Sequence, residues 1–274
     1  MYDFWMGFSR IPRIGREFDL KLFCEARPGL QLWVFLNFTY TFDAWKKTQQ
    51  LCFPMLLISI LHWWYISDYF WFEDAILTTL DLIHDKFGFM LAFGDLVWVP
   101  WTYTLQVQCL HFYHIYHYAS NPTQSAVSPT DYILYTVIFI IFVFGYYVFR
   151  QSNLQKHKFR TLDAQHVQKM HIWGKPVSYL QTKTGTKLLT SGWWSIARHM
   201  NYTGDWLMSL AASLCCCPQY WYACSAIVFF NPLYFGILLL HRERRDDQRC
   251  AQKYKEDWSI YTNQVPYRMI PYIY

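Results

Sequence analysis

The run from Tyr132 to Phe149, YILYTVIFIIFVFGYYVF, carries no charged residue. Crossing the hydrocarbon of a bilayer takes about 20 mostly apolar residues, and without water the backbone there must satisfy its own hydrogen bonds as a helix. Further apolar windows lie near 29–44, 51–67, 87–107 (running on to about 117), 205–217 and 219–240. Their number predicts an all-α fold, a polytopic transmembrane bundle of about six spans forming a single membrane domain over residues 1–274. Composition agrees: charged residues are 16% of the chain, against about 25% in soluble domains. The mean hydropathy of +0.03 understates this, because the 22 Tyr and 14 Trp score poorly yet suit membrane interfaces. The start has no apolar signal-like stretch, so no cleavable signal peptide is expected.

Charge orients the spans. Arg150, Lys156, Lys158, Arg160, Lys169, Lys175, Lys183 and Lys187 stand against Asp163 alone in residues 150–187, a loop that the positive-inside rule places in the cytoplasm. The last two spans then return the basic tail from His241 to the same side, which leaves Lys46 and Lys47 on the opposite one. The net charge of +5 is spread over loops facing a membrane, so nucleic acid is not an expected partner. Cys215, Cys216 and Cys217 are adjacent and most other cysteines lie in or beside spans, which suits helix packing rather than disulfides or a metal site. His111, His114 and His117 recur every third residue, but without a carboxylate or Cys to complete a set they read as interfacial histidines, and no metal is expected.

Two polar segments hold the chemistry. In HRERRDDQRCAQKYKEDWSIY, from His241, helical spacing puts Arg242, Asp246, Cys250, Lys253, Asp257 and Tyr261 in an arc of about 100°. In LLTSGWWSIARHMNYTGD, residues 188–205, a helix from Trp194 would align Trp194, Arg198, Asn201 and Asp205, with Tyr202 beside them. Arg and Asp at the mouth of a span are costly unless paired or functional. Cations, amides and aromatic rings on one membrane face suit a phosphate-bearing aromatic ligand such as a dinucleotide. No G-x-G-x-x-G follows a strand, so such a site is not of Rossmann type.

These two segments closely resemble the signatures of the sterol reductase family, which contains Δ14-, Δ7- and C24(28)-sterol reductases and the lamin B receptor. YDFWMGFSRIPRIGREFDLKLFCEARPGL, from Tyr2, resembles an earlier block of that family, and VPYRMIPYIY its chain terminus. HDKFGFMLAFGDLVWVPWTYTLQ, from His84, is most similar to Δ14 reductases and the lamin B receptor. The chain departs from the pattern at Ile11 (usually Asn), Met200 (commonly Pro) and Lys255 (usually Gly). Members have about ten spans, and this chain begins at the equivalent of the fifth.

The resemblance implies NADPH-dependent reduction of the sterol C14–C15 double bond in the endoplasmic reticulum membrane. It implies cofactor contacts at Lys156, Arg160, Leu189, Trp194, Asn201, Tyr202, Arg242, Asp246, Cys250, Lys253, Tyr254 and Tyr261. Residues 1–149 are then the sterol-pocket side, and 150–274 hold the NADPH loop, the last two spans and the final signature. An isolated alkene needs a proton as well as a hydride, so a general acid is expected: Asp246, or Tyr103 relayed through it. Asp95, costly inside an apolar stretch, is assigned to the sterol pocket. Within the same resemblance a Δ7 or C24(28) reductase, or a lamin-B-receptor-like scaffold of the nuclear membrane, is the alternative.

Overall fold

A computed structural model describes residues 1–8, 12–73, 86–120, 127–162, 164–217 and 226–274. Ile11, His84, Asp163, the side chain of His117 and the first part of the expected 219–240 span lie outside them. The longer helices are α1 (Leu30–Thr48), α2 (Phe53–Trp71), α3 (Leu105–Ser120), α4 (Pro129–Thr161), α5 (Met200–Leu214), α6 (Phe230–Tyr254) and α7 (Glu256–Gln264). Three two-stranded antiparallel ribbons join them: β1 (Arg13–Ile14) with β2 (Phe18–Asp19), β3 (His171–Ile172) with β4 (Lys175–Pro176), and β5 (Tyr179–Gln181) with β6 (Lys187–Leu189). The chain is thus mostly helical, and the ribbons are an addition to the all-α expectation. Among the described residues α4 is long and apolar enough to cross a membrane by length and composition. The chain divides into two compact units, Met1–Tyr135 with Ala212–Asn231, and Thr136–Ala211 with Pro232–Tyr274.

In the first unit, α1 and α2 start and stop on local chemistry. Pro54 occupies the opening turn of α2, where its missing N–H costs nothing. Gln49 closes α1 in a left-handed conformation, its N–H donating to the Trp45 carbonyl. The helices α1, α2 and α3 pack around Ala44, Met55, Ile58, Leu61, Val107 and Leu110, all fully buried. Polar side chains cross this contact in pairs. The Trp33 indole donates to His62 Nδ1 at 3.2 Å, Asn37 meets the same ring at 2.9 Å, and Thr41 bonds Ser59 at 3.1 Å. Two of the three spaced histidines serve the same seam. His111 Nε2 lies 2.7 Å from Asp43 and His114 Nε2 lies 3.3 Å from Thr48. Asp43 also holds Lys47 at 2.6 Å, which gives one of the two misplaced lysines an ion-pair partner.

The span expected near 87–107 is helical but irregular in the structure. It runs as a short helix Phe89–Phe93, a π-turn Gly94–Trp98, a short helix Val99–Thr102 and a break before α3. A second π-turn, Glu25–Gly29, contains Pro28, which cannot donate to the helical ladder. The two π-turns meet at Gly29, where any Cβ would overlap the Asp95 carbonyl oxygen.

In the second unit, α4 and α5 approach backbone to backbone. A Cβ on Gly204 would lie 2.5 Å from the Phe149 nitrogen and 2.6 Å from the Gly145 oxygen, the close small-residue contact that lets membrane helices pack tightly. Residues 188–205 do not form the single helix expected from Trp194. Trp193–Ile196 is one turn, Ala197 is extended, and α5 begins at Met200. Trp194, Arg198, Asn201 and Asp205 therefore share no common helical face. The second predicted arc is broken likewise: α6 ends at Tyr254 and Lys255 takes φ 52° before α7 begins. Asp257 and Tyr261 thus belong to a separate helix from Arg242, Asp246, Cys250 and Lys253.

Candidate functional site

In the second unit the C-terminal end of α4 supplies the first side chains. The Ser152 carbonyl accepts the Trp194 indole N–H at 2.8 Å, and Gln155 accepts the Trp193 backbone N–H at 3.0 Å. These bonds seat the tryptophan turn on α4. Lys156, half-buried, then lies with its Nζ 4.1 Å above the Trp194 ring, a cation–π contact strengthened by desolvation. Burial, and then the nearby Arg160 cation, push the Lys156 amine down to about 8, while Asp246 and Cys250 act in the opposite sense. Arg160, one turn further along α4, is exposed. Lys156, Trp194, Asp246 and Cys250 therefore share one electrostatic neighbourhood although they come from three elements.

Asn201, in the first turn of α5, donates to Asn153 on α4 at 3.3 Å. Its own Oδ1 is buried and, among the described residues, has no hydrogen-bond partner. A buried amide oxygen without a donor is costly, and it marks a place where a ligand N–H or hydroxyl fits. Tyr202 stacks on His199, centroids 4.8 Å apart and 15° from parallel.

The far wall comes from α6, β6 and α7. Tyr261 donates its hydroxyl to the Leu189 carbonyl at 3.3 Å, fixing α7 against β6, and burial raises its phenol well above the usual range. Tyr254, Trp258 and Tyr261 stack in sequence, with Trp258 and Tyr261 centroids 5.2 Å apart. Cys250 packs on this cluster, and its thiol is pushed up to about 12 by burial and then by Asp246. Lys253 is exposed, with its Nζ 4.8 Å over the Tyr254 ring. Arg242 is half-buried a turn before Asp246. Asp257 takes no part in this wall; it accepts the Lys183 backbone N–H at 2.7 Å.

The adjacent aspartates of α6 have different partners. Asp247 faces Arg198 at 3.5 Å, Arg268 at 3.6 Å and the Trp258 indole N–H at 3.1 Å. Asp246 faces Lys156 electrostatically and has His199 Nε2 3.7 Å from its Oδ2. Beneath them, the fully buried Glu243 carboxylate accepts from Arg268 at 3.2 Å and from the Tyr274 hydroxyl at 3.2 Å. The C-terminal tail also holds the signature segment directly. The Tyr267 and Arg268 carbonyls accept the Arg198 and His199 N–H groups, and the Met269 carbonyl accepts Thr203.

Sequence reasoning passed over His199, Asp247, Glu243, Arg268 and Trp258. A buried imidazole inside a named signature was the available signal for the first; the others are visible only once the tail folds back. Tyr103 and Asp95 belong to the first unit. Tyr103 lies 4.8 Å from the Trp33 ring, and Asp95 is buried in the Gly94–Trp98 π-turn.

A family model described as "Ergosterol biosynthesis ERG4/ERG24 family" matches residues 1–274. A Delta(14)-sterol reductase of Dictyostelium discoideum is 46% identical over 272 residues, covering 98% of this chain and 54% of the relative. One of Methylotuvimicrobium alcaliphilum is 45% identical, covering 100% of this chain and 58% of the relative. The 7-dehydrocholesterol reductase of Xenopus laevis is 37% identical, covering 98% and 54%. The chain spans a little over half the length of these curated relatives. With the family model matching from end to end, the chain belongs to the ergosterol biosynthesis ERG4/ERG24 family.

Proposed function

We propose that this chain carries the cofactor and proton-donor machinery of an NADPH-dependent reductase of the sterol C14–C15 double bond, working as a multi-pass protein of the endoplasmic reticulum membrane. The observation that carries the reading is the half-buried Lys156 cation on Trp194, within electrostatic reach of Asp246. Relatives named Delta(14)-sterol reductase at 46% and 45% identity support the choice of bond. Residues 1–149 form the sterol side and 150–274 the cofactor side in this reading, with about six spans between them.

When bound, NADPH supplies the hydride. Lys156 and Arg160 would hold its anionic groups, and Tyr202 would offer a ring face. Trp194, buried at 3% exposure beneath Lys156, would hold that amine in place, and Asn201 Oδ1 would accept from the cofactor's amide or ribose. Leu189, Cys250, Lys253, Tyr254 and Tyr261 form the wall, with Arg242 at its edge. Asp246 or Tyr103 would deliver the proton to sterol C15, the position that leaves the tertiary carbon C14 as the hydride acceptor. Asp95 lines the sterol side. The half-buried setting of Lys156 raises the worth of each charge–charge contact over its value in water.

The test uses the full-length protein in membranes with NADPH. A Δ8,14-sterol should be converted to its Δ8 product. The Xenopus relative favours a Δ7 reductase as the second reading, so conversion of a Δ7 or Δ24(28) substrate with the Δ14 bond untouched overturns the first.

A further inference from the structure

His199 is a buried imidazole that the scheme above does not use. It sits where the signature turns into α5, 6% exposed, with its N–H held by the Arg268 carbonyl at 2.8 Å. Its carbonyl accepts the Tyr202 N–H at 3.0 Å, and its ring lies flat on the Tyr202 ring. Backbone bonds on both sides and a stacked face leave the ring little freedom. Its Nε2 lies 3.7 Å from Asp246 Oδ2, a neighbour just beyond hydrogen-bond length, as catalytic pairs often are before substrate binds.

The charged groups around this ring come from every element packed on it. Lys156 is on α4, Arg198 precedes it in the chain, Asp246 is on α6, and Arg268 is on the tail. Burial, and then the cations Lys156, Arg198 and Arg268, push the imidazole down to about 3, so it is uncharged at neutral pH. An uncharged imidazole can donate Nε2–H to a carboxylate, or accept from a protonated carboxyl, without locking it as an ion pair. Asp247, between two guanidiniums and an indole N–H, has the opposite setting.

We propose that His199 is a positioning residue for Asp246, a polar neighbour whose Nε2 closes onto the carboxyl as a hydrogen bond in the working enzyme and fixes its orientation. The inference rests on the reading of Asp246 as proton donor or relay. It names a role for the imidazole in proton delivery rather than in holding the cofactor.

The test compares His199→Phe, His199→Gln and His199→Arg in the full-length protein in membranes. His199→Phe keeps a stacking ring but no hydrogen bond. It should lower kcat by about 100-fold, the lower range for a displaced general acid, with the NADPH dissociation constant within about twofold of wild type, since the imidazole is not assigned a cofactor contact. His199→Gln restores an N–H and should recover most of kcat. His199→Arg, a fixed cation beside the carboxyl, should move the pH profile of kcat to lower pH. Unchanged kcat in His199→Phe overturns the inference. So does equal damage in the Phe and Gln variants, or a loss confined to NADPH affinity.

A cofactor-free reading separates this from the proposed reaction. The Asp246 carboxyl bands, identified in infrared difference spectra against Asp246→Asn, should shift in His199→Phe. An unshifted band refutes the contact even in a protein that reduces the sterol. A shifted band in a protein inactive on Δ8,14-sterol sustains the contact while the reaction reading fails.

Discussion

Replacing Lys156 by Met removes the cation but keeps an unbranched apolar stem over Trp194, so the packing of the tryptophan turn is largely preserved. The magnitude follows from the setting of the amine. Its fall from the ordinary lysine range to about 8 corresponds to a penalty on the charged form on the order of 3 kcal/mol. An anionic ligand group that settles against Nζ relieves much of that penalty and adds a charge-assisted hydrogen bond of about 1.5–3 kcal/mol. Lys156→Met should therefore weaken NADPH binding by about 100-fold. Arg160 is exposed, and an exposed ion pair contributes at most about 1 kcal/mol, so Arg160→Ala should cost no more than about fivefold. Titration of full-length protein in detergent with NADPH and NADH, followed by tryptophan quenching, measures both. A large loss for NADPH with a small one for NADH assigns Lys156 to the 2′-phosphate. The pH dependence has a fixed sign: the free lysine loses its proton as pH rises through about 8, so affinity should decline there and binding should take up protons. Equal weakening of both cofactors places Lys156 on the shared pyrophosphate. No change in either refutes the reasoning and leaves the cation a packing element of Trp194.

Asp246→Asn should cut turnover by at least about 100-fold with NADPH binding retained, and Tyr103→Phe is the companion; wild-type turnover in either removes that residue from proton delivery. Lys255→Gly should raise the melting temperature, because Lys255 holds φ 52° and relieving such a conformation is worth about 1 kcal/mol or more; an unchanged melting temperature counts against strain there. Gly204→Ala should destabilise by about 1–3 kcal/mol through overpacking, since its Cβ would meet backbone atoms of α4; a neutral Ala would show that the helices separate without cost. Stability should also fall as pH drops from about 6.5 toward about 3. His199 stays neutral over that window in the fold while the unfolded chain takes up a proton, and His199→Gln should flatten that limb of a melting curve.

Charge and periodicity made some of this architecture legible and not the rest. The uncharged Tyr132–Phe149 run gave α4 its position, since a helix needs only its own residues to be recognised. Gly94–Trp98 looks no different from helix in residue type, so the π-turn there was invisible. The Asp246–Cys250 spacing was readable because both lie within α6. Asp257 and Tyr261 were drawn into the same arc because Lys255 conceals a backbone turn that Gly would have announced. Of the site, helical spacing singles out Trp194 and Asp246, the resemblance adds Lys156 and the cofactor role of all three, and the structure brings them into one neighbourhood. His199, Glu243 and Arg268 depend on the tail folding back over the signature, a contact some 70 residues apart in the case of His199 and Arg268, and no local pattern encodes it.

Each π-turn holds one more residue per turn than the helix it interrupts. That makes the Gly94–Trp98 segment sensitive to length rather than to identity. Inserting a further residue there, which the already widened turn cannot absorb, would swing everything after it by about 100°, carrying Tyr103 off the Trp33 ring. Exchanging Leu96 or Val97 for another apolar residue would leave the register intact. Over evolutionary time Leu96 and Val97 should exchange freely among apolar residues, and a one-residue insertion between Gly94 and Tyr103 should be rarer than such an exchange.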